Sequence, residues 1–213
     1  MKGSLIVVSA PSGAGKTSLT HAAIDQLAGD GHVVSFSVSY TTRLPRAGER
    51  NGQDYHFVDD SAFLEMAEAN AFLEHAQVFD RRYGTGRART LQALDAGEDI
   101  VLDIDWQGAR QVKAAYPDAV LIYVLPPSTD ALRARLSSRG QDSDDVIERR
   151  MRDAVAEMSH WQEYDYVIVN DDFDVAARAL VAVFRAARLR RVQAESGPVG
   201  ELARSLVNPA GSA

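Results

Sequence analysis

Residues 4–20, SLIVVSAPSGAGKTSLT, constrain this chain more than any other stretch. A short apolar, β-branched run leads into a glycine-rich turn, then into a helical pattern opening on Lys16 and Thr17. Gly13 and Gly15 let the backbone turn so that successive N–H groups point inward. The helix that follows adds the positive end of its dipole. Strand, turn and helix in this order make a P-loop, in which Ala10, Pro11, Ser12, Gly13, Ala14, Gly15, Lys16 and Thr17 would wrap the phosphates of a nucleoside triphosphate. Lys16 would bridge the β- and γ-phosphates, and the Thr17 hydroxyl would bind Mg²⁺. The strict pattern begins with glycine, where this chain has Ala10, so an ordinary glycine turn opening a helix stands as the alternative.

The rest of the chain repeats the strand-then-helix alternation. Apolar runs at 4–10, 32–38, 98–105, 119–125 and 164–170 read as strands. The third to fifth are near-continuous in apolar residues, as in strands buried on both faces of a parallel sheet. Between them, KTSLTHAAIDQLAGDG ends on glycine, SAFLEMAEAN begins on a capping serine, and STDALRARLSSRG has a Ser/Thr start. In DSDDVIERRMRDAVAEMSHW, residues Ile147, Met151, Ala154, Met158 and Trp161 form one apolar stripe. This is an α/β pattern with helices on both faces of the sheet. The last stretch, ESGPVGELARSLVNPAGSA, is punctuated by Gly, Pro and Ser and reads as a loosely held tail.

Composition excludes several classes. A formal net charge of -7 argues against general nucleic-acid or anionic-membrane binding. With no cysteine there is no disulfide and no thiolate metal site, and the five histidines lack ligand spacing. The N-terminal apolar run is too short for a signal peptide or a membrane span, so a cytoplasmic protein is expected.

Against that acidic background, TTRLPRAGERNGQDYHF (41–57) stands out. Guanidinium groups present planar, bidentate donors suited to phosphate. Arg43 and Arg46, three residues apart and stiffened by Pro45, can converge on one phosphate, with Tyr55 and Tyr83 as further donors. A solvated basic loop is the alternative. Further on, VLDIDWQG closes the third strand. Alternation along that strand puts Asp103 and Asp105 on one face, at the edge where ligands bind open α/β sheets. There they would organise Mg²⁺ through water or accept hydrogen bonds from a base; otherwise they are solvated aspartates. DWQG also fits the D-x-x-G pattern of GTPases, but VIVNDDFD lacks the lysine of a guanine-binding Asn-Lys-x-Asp motif.

Together SAPSGAGKTSL, SVSYTTRLPRAGERNGQDYHFV, FLEHAQVF, YGT, VLDIDWQGA, LPPS, RLSSRGQDS and YDYVIVNDDFD resemble guanylate kinase, the ATP:GMP phosphotransferase, of the bacterial type, in order from about residue 4 to 191. Alanine at the first P-loop place is common in that family. The resemblance implies a P-loop nucleoside monophosphate kinase with a five-stranded, mainly parallel sheet. Its core would comprise 1–38, 88–127 and 164–193, with a mobile GMP-binding region at 39–87, a helical lid at 128–163 and the tail at 194–213. ATP and GMP (or dGMP) would be the substrates and Mg²⁺ the cofactor; a homo-oligomer is compatible with it. Arg43, Arg46, Tyr55 and Tyr83 match positions gripping the GMP phosphate. Ser39, Glu74 and Thr85 surround the guanine, with Asp103 or Asp105 adding a carboxylate, and Glu49 holds a loop arginine in register. In the lid, Arg139 and Arg150 match arginines reaching the transferred phosphoryl group, where with Lys16 and Arg46 they would carry the positive charge of catalysis, and Arg135 lies near the adenine. Gly140 is the expected hinge. Other readings of the same residues are another P-loop small-molecule or nucleotide kinase, and a guanylate-kinase-like binding module without activity.

Overall fold

The computed structural model describes residues 2–78, 80–137, 144–195 and 197–207. At its centre is a five-stranded sheet built from β1 (Leu5–Ser9), β2 (Val34–Phe36), β7 (Asp99–Asp103), β8 (Val120–Leu125) and β9 (Tyr166–Val169). Their spatial order is β2-β7-β1-β8-β9, and every neighbouring pair is parallel. These are the five strands expected from the apolar runs. Period-two alternation splits β1, β7 and β8 between two cores, whereas the edge strand β9, expected to be buried on both faces, buries Ile168 on one side and exposes Tyr166, Val167 and Val169. Ile6, Val8, Val101, Ile122 and Val124 face one core, closed by α1 (Lys16–Gly29) and α7 (Phe173–Arg188). Leu5, Val7, Ile100, Leu102 and Leu121 face the other, beneath α3 (Arg87–Asp95) and α4 (Trp106–Ala115). Each fully buried Leu, Ile or Val contributes about 1.5–3 kcal/mol against the entropy of ordering the chain.

A second sheet lies within 39–87, in the order β4-β3-β6-β5. It comprises β3 (Tyr40–Thr41), β4 (His56–Phe57), β5 (Phe72–Val78) and β6 (Arg81–Gly86). β5 and β6 are antiparallel, and their register sets Glu74 opposite Thr85. The α2 helix (Asp60–Glu68) covers this sheet through buried Phe63, which stacks on Phe72 at 4.6 Å. Its cap is Asp59, whose carboxylate accepts from Ala62 N at 2.7 Å, rather than the expected Ser61.

Helices α5 (Thr129–Ser137) and α6 (Asp144–Met158), in the segment expected to form a lid, share a small core of Leu132, Leu136, Ile147, Met151 and Ala154. The Ser128 hydroxyl accepts from Ala131 N at 3.1 Å, as the Ser/Thr start suggested. Trp161 departs from the expected stripe: α6 stops at Met158, a 3-10 turn follows at Trp161–Glu163, and the indole is 44% exposed. The stretch read as a tail carries α9 (Pro198–Val207), preceded by a short α8 (Arg191–Ala194). Pro198 suits a first helical turn because its missing N–H would be unpaired there. Among the described residues, no helix is long and apolar enough to cross a membrane.

Candidate active site

The P-loop joins β1 to α1 at the carboxyl edge of the main sheet. Gly13 and Gly15 have φ of 92° and 87°, the left-handed region that glycine enters without a Cβ clash. α1 starts at Lys16 with Gly15 as its N-cap and no side chain closing the end, so its first N–H groups face outward. Opposite, β7 ends at Asp103. One carboxylate oxygen of Asp103 pairs with Lys16 Nζ, and the other accepts from Thr17 Oγ1 at 2.9 Å. The Ile104 carbonyl accepts from Lys16 Nζ at 3.4 Å.

Asp105 has a different position from the one strand alternation implies. The strand has already ended, and Asp105 caps α4 by accepting from Gly108 N at 2.8 Å. It still reaches the same space. A cavity of about 400 Å³ is lined by Lys16, Ser39, Tyr55, Glu74, Ala76, Tyr83, Asp103, Ile104 and Asp105. A second, of about 590 Å³, shares Ser39, Tyr55, Asp103 and Ile104 with it and adds Thr17 and Thr85. A third, of about 620 Å³, is lined by residues of the second sheet and shares only Arg43 with the expected site; the P-loop does not line it.

Glu74 is the unusual group here. It is 6% exposed, and its Oε1 accepts from Thr85 Oγ1 at 2.6 Å. Burial pushes its pKa above the ordinary carboxylate range and nearby Asp105 adds to this, while the hydrogen bond from Thr85 opposes them. A carboxylate held in so dry a place with a single neutral donor costs stability.

Arg43 and Glu49 form a two-pronged pair, with Nη1 to Oε2 at 3.0 Å and Nη2 to Oε1 at 2.8 Å. Glu49 Oε2 also accepts from the Arg46 backbone N at 2.7 Å. One carboxylate thus sets both the Arg43 side chain and the Arg46 turn. The Arg43 guanidinium lies 5.3 Å from the Tyr55 ring centre, and the Tyr55 and Tyr83 rings are 6.1 Å apart. Glu49 first, and then Tyr83, raise the Arg43 pKa above its ordinary value. Arg46 is exposed. Arg50 is exposed as well, its backbone N donating to Asp54 Oδ2 at 2.7 Å.

Side chains of α5 and α6 reach the loop directly. Arg150 Nη2 donates to Ser12 Oγ at 2.8 Å. Arg135 Nη2 donates to the Asn170 carbonyl at 2.9 Å, with Nη1 3.5 Å from the Ala14 carbonyl. Arg133 pairs with Glu148, as a surface arginine would. Arg139 and the hinge glycine Gly140 lie outside the described residues.

Two further polar groups crowd the loop, neither of which carries a role in the sequence reading. Asn170 follows β9; it is 4% exposed and its Nδ2 donates to the Ala14 carbonyl at 2.8 Å. Its position at the carboxyl end of a core strand is the signal that could have found it. Glu157 is two turns beyond Arg150 on α6. Burial raises its pKa and Asp105 reinforces this, while Lys16 and the Ser12 amide oppose it.

Comparison with known proteins agrees with this geometry. The family model described as guanylate kinase matches residues 2–187. A guanylate kinase of Chromohalobacter salexigens is 55% identical over 200 residues, spanning 93% of this chain and 91% of the relative. Another, from Alkalilimnicola ehrlichii, is 51% identical over 207 residues, 97% of this chain and all of the relative. A crystal structure of guanylate kinase from Anaplasma phagocytophilum superposes with a TM-score of 0.70 at 33% identity, covering 96% of this chain and 95% of that one. On the P-loop, the second sheet with its buried glutamate, and these matches, the chain belongs to the guanylate kinase family.

Proposed function

We propose that this protein transfers the γ-phosphoryl group of ATP to the phosphate of GMP or dGMP, giving ADP and GDP or dGDP. One observation carries the reading. Asp103 touches both P-loop residues, Lys16 and Thr17, and lines the same cavity as the buried Glu74. A triphosphate on the loop and a purine at Glu74 would therefore share one space.

The acceptor phosphate is already ionised, so no general base is required. Catalysis is positioning and charge stabilisation. Lys16 and Arg150 bring positive charge to the donor phosphates, with Arg139 as a further lid cation. Arg43 and Arg46, with Tyr55 and Tyr83, grip the acceptor phosphate. Guanine offers N1–H and the 2-amino group side by side, and the Glu74 carboxylate accepts from both. Adenine presents a lone pair at N1 instead, which the carboxylate repels. A site built on such pairing rejects the unmatched base by roughly 10⁴-fold. Ser39, Thr85 and Asp105 complete the polar surround of the base, and Arg135 stands at the adenine end of the ATP site.

The residues present suit Mg²⁺. No cluster of three or more acidic or histidine ligands exists among the described residues, so a cage made of protein alone is not on offer. The Thr17 hydroxyl and Asp103 are adjacent at the loop, the arrangement for an ion held largely by phosphate oxygens and water. When bound, the ion neutralises charge on the ATP phosphates. Action in the cytoplasm belongs to the same proposal.

The test is Lys16→Ala. Loss of a preorganised cation should lower GMP-dependent ATP turnover by roughly 10²–10³-fold. Turnover near the wild-type rate sinks the mechanism, and an inactive wild-type protein would favour a binding module.

A further inference from the structure

A P-loop works only if its N–H groups, and not its carbonyls, face the phosphates. Glycine makes the turn possible, and it also makes the wrong turn cheap. Gly15 tolerates either sign of φ, so the peptide joining Ala14 to Gly15 can flip at little backbone cost. In a trans peptide the carbonyl oxygen and the N–H point in opposite directions. Whatever holds the Ala14 carbonyl therefore decides where the Gly15 N–H points.

Here the holder is a buried amide. Asn170 Nδ2 donates to the Ala14 carbonyl at 2.8 Å, and Arg135 Nη1 approaches the same oxygen at 3.5 Å. Asn170 is anchored in turn, with its backbone N donating to the Leu125 carbonyl at 2.8 Å and its own carbonyl accepting from Arg135 Nη2. The fit is close. A Cβ on Gly15 would come within 2.6 Å of Asn170 Nδ2, so the asparagine fills the space glycine leaves empty.

We propose that Asn170 is a positioning residue that locks the Ala14–Gly15 peptide in the phosphate-binding orientation, with the Gly15 N–H turned into the cradle. The inference rests on the P-loop reading of the proposed function. It separates two roles that packing alone would merge. A mere filler is satisfied by any isostere, whereas a lock needs a donor facing the carbonyl.

Asn170→Asp and Asn170→Ala distinguish them. Aspartate keeps the shape but sets a carboxylate against the carbonyl oxygen, whereas alanine only removes the bond. The expected result is a fall in kcat/KM for ATP of about 10-fold in N170A and about 100-fold in N170D, with KM for GMP unchanged. GMP binding by calorimetry certifies that each variant is folded. N170D activity close to wild type, or better than that of N170A, overturns the lock. A rise in KM for GMP matching the loss for ATP also overturns it, because a general structural defect would produce that. Lys16→Ala is run alongside: if it stays active the P-loop reading itself fails, and if it is dead while N170D is active only the lock fails. A measurement on the wild-type protein needs no variant. The Gly15 amide resonance should move downfield when ADP is added, and an unmoved resonance contradicts the assigned orientation.

Discussion

Replacing Glu74 by glutamine removes one charge while keeping the side chain's shape, and its effects on activity and stability should run in opposite directions. In the wild-type protein Glu74 is 6% exposed and spends one hydrogen bond on Thr85, at 2.6 Å. Hydrogen bonds to a charged group are worth about 1.5–3 kcal/mol each, and guanine would donate two. Glutamine keeps one acceptor and turns an NH₂ toward guanine's own donors, so the net loss is about 2–4 kcal/mol, or roughly 30- to 10³-fold in kcat/KM for GMP. With AMP the same NH₂ meets the N1 lone pair, and activity should rise slightly. The GMP-to-AMP ratio of kcat/KM, from initial rates of ADP release at saturating ATP, is the assay. An unchanged ratio refutes the assignment of Glu74 to the base. Stability gives the second arm. Burial has raised the folded-state pKa of Glu74, so its contribution is most favourable when protonated at low pH and is lost as pH rises through that raised value. Glu74→Gln removes the penalty, and the nucleotide-free variant should melt a few degrees higher at neutral pH. The same shift gives a pH test of the wild type: KM for GMP should climb as pH falls through the raised pKa, because the protonated carboxyl no longer accepts two hydrogen bonds.

Gly108→Ala should raise KM for GMP by about 10-fold and leave KM for ATP alone, since its Cβ would sit 3.2 Å from Glu74 Oε2 and from the Ile104 side chain; steady-state kinetics with each substrate varied will show it. Glu49→Gln weakens the pair that sets Arg43 and the Arg46 turn, and should likewise raise KM for GMP, by about 10-fold. Arg110→Ala tests an ion pair away from the site. Arg110, with help from His160, depresses the Glu163 pKa to about 2, so the pair stabilises the fold above the ordinary glutamate value and stops doing so as pH falls toward 2. The pair is partly exposed and contributes less than about 1 kcal/mol, so thermal melts should show a small deficit at pH 7 that shrinks below pH 3.

How legible these features were depended on burial and length. The inner strands could be read because burial on two faces leaves near-continuous apolar runs such as AVLIYVL, whereas β9 reads the same way yet is an edge strand that buries Ile168 and exposes Tyr166, Val167 and Val169. The second sheet could not: β3 and β4 have two residues each, and β6 reads RRYGTG, polar and glycine-rich, so neither periodicity nor propensity marks it. Yet that sheet carries the proposed base site, by setting Glu74 opposite Thr85 across β5 and β6. In α2 the run Asp59-Asp60-Ser61 offers three capping residues in a row, and the helix begins two residues earlier than the serine suggests. Trp161 left its stripe because α6 ends and a 3-10 turn changes the angle per residue. Glu49 was identifiable because the paired Arg43 is only six residues away. Asn170 offers only its place after a core strand as a signal, since its partner Ala14 lies 156 residues away and only the fold brings them together. Glu157 reads in sequence as one more acid on an acid-rich helix, and its environment is a property of lid docking.

The central claim is that one cavity pairs a triphosphate donor with guanine and with no other base. Purified protein with Mg²⁺-ATP and, in turn, GMP, dGMP, AMP, CMP, UMP and dTMP tests it most directly, with ADP release followed in a coupled assay. GMP and dGMP should turn over rapidly, with roughly 10⁴-fold higher kcat/KM than AMP. Comparable turnover with any base other than guanine would contradict it.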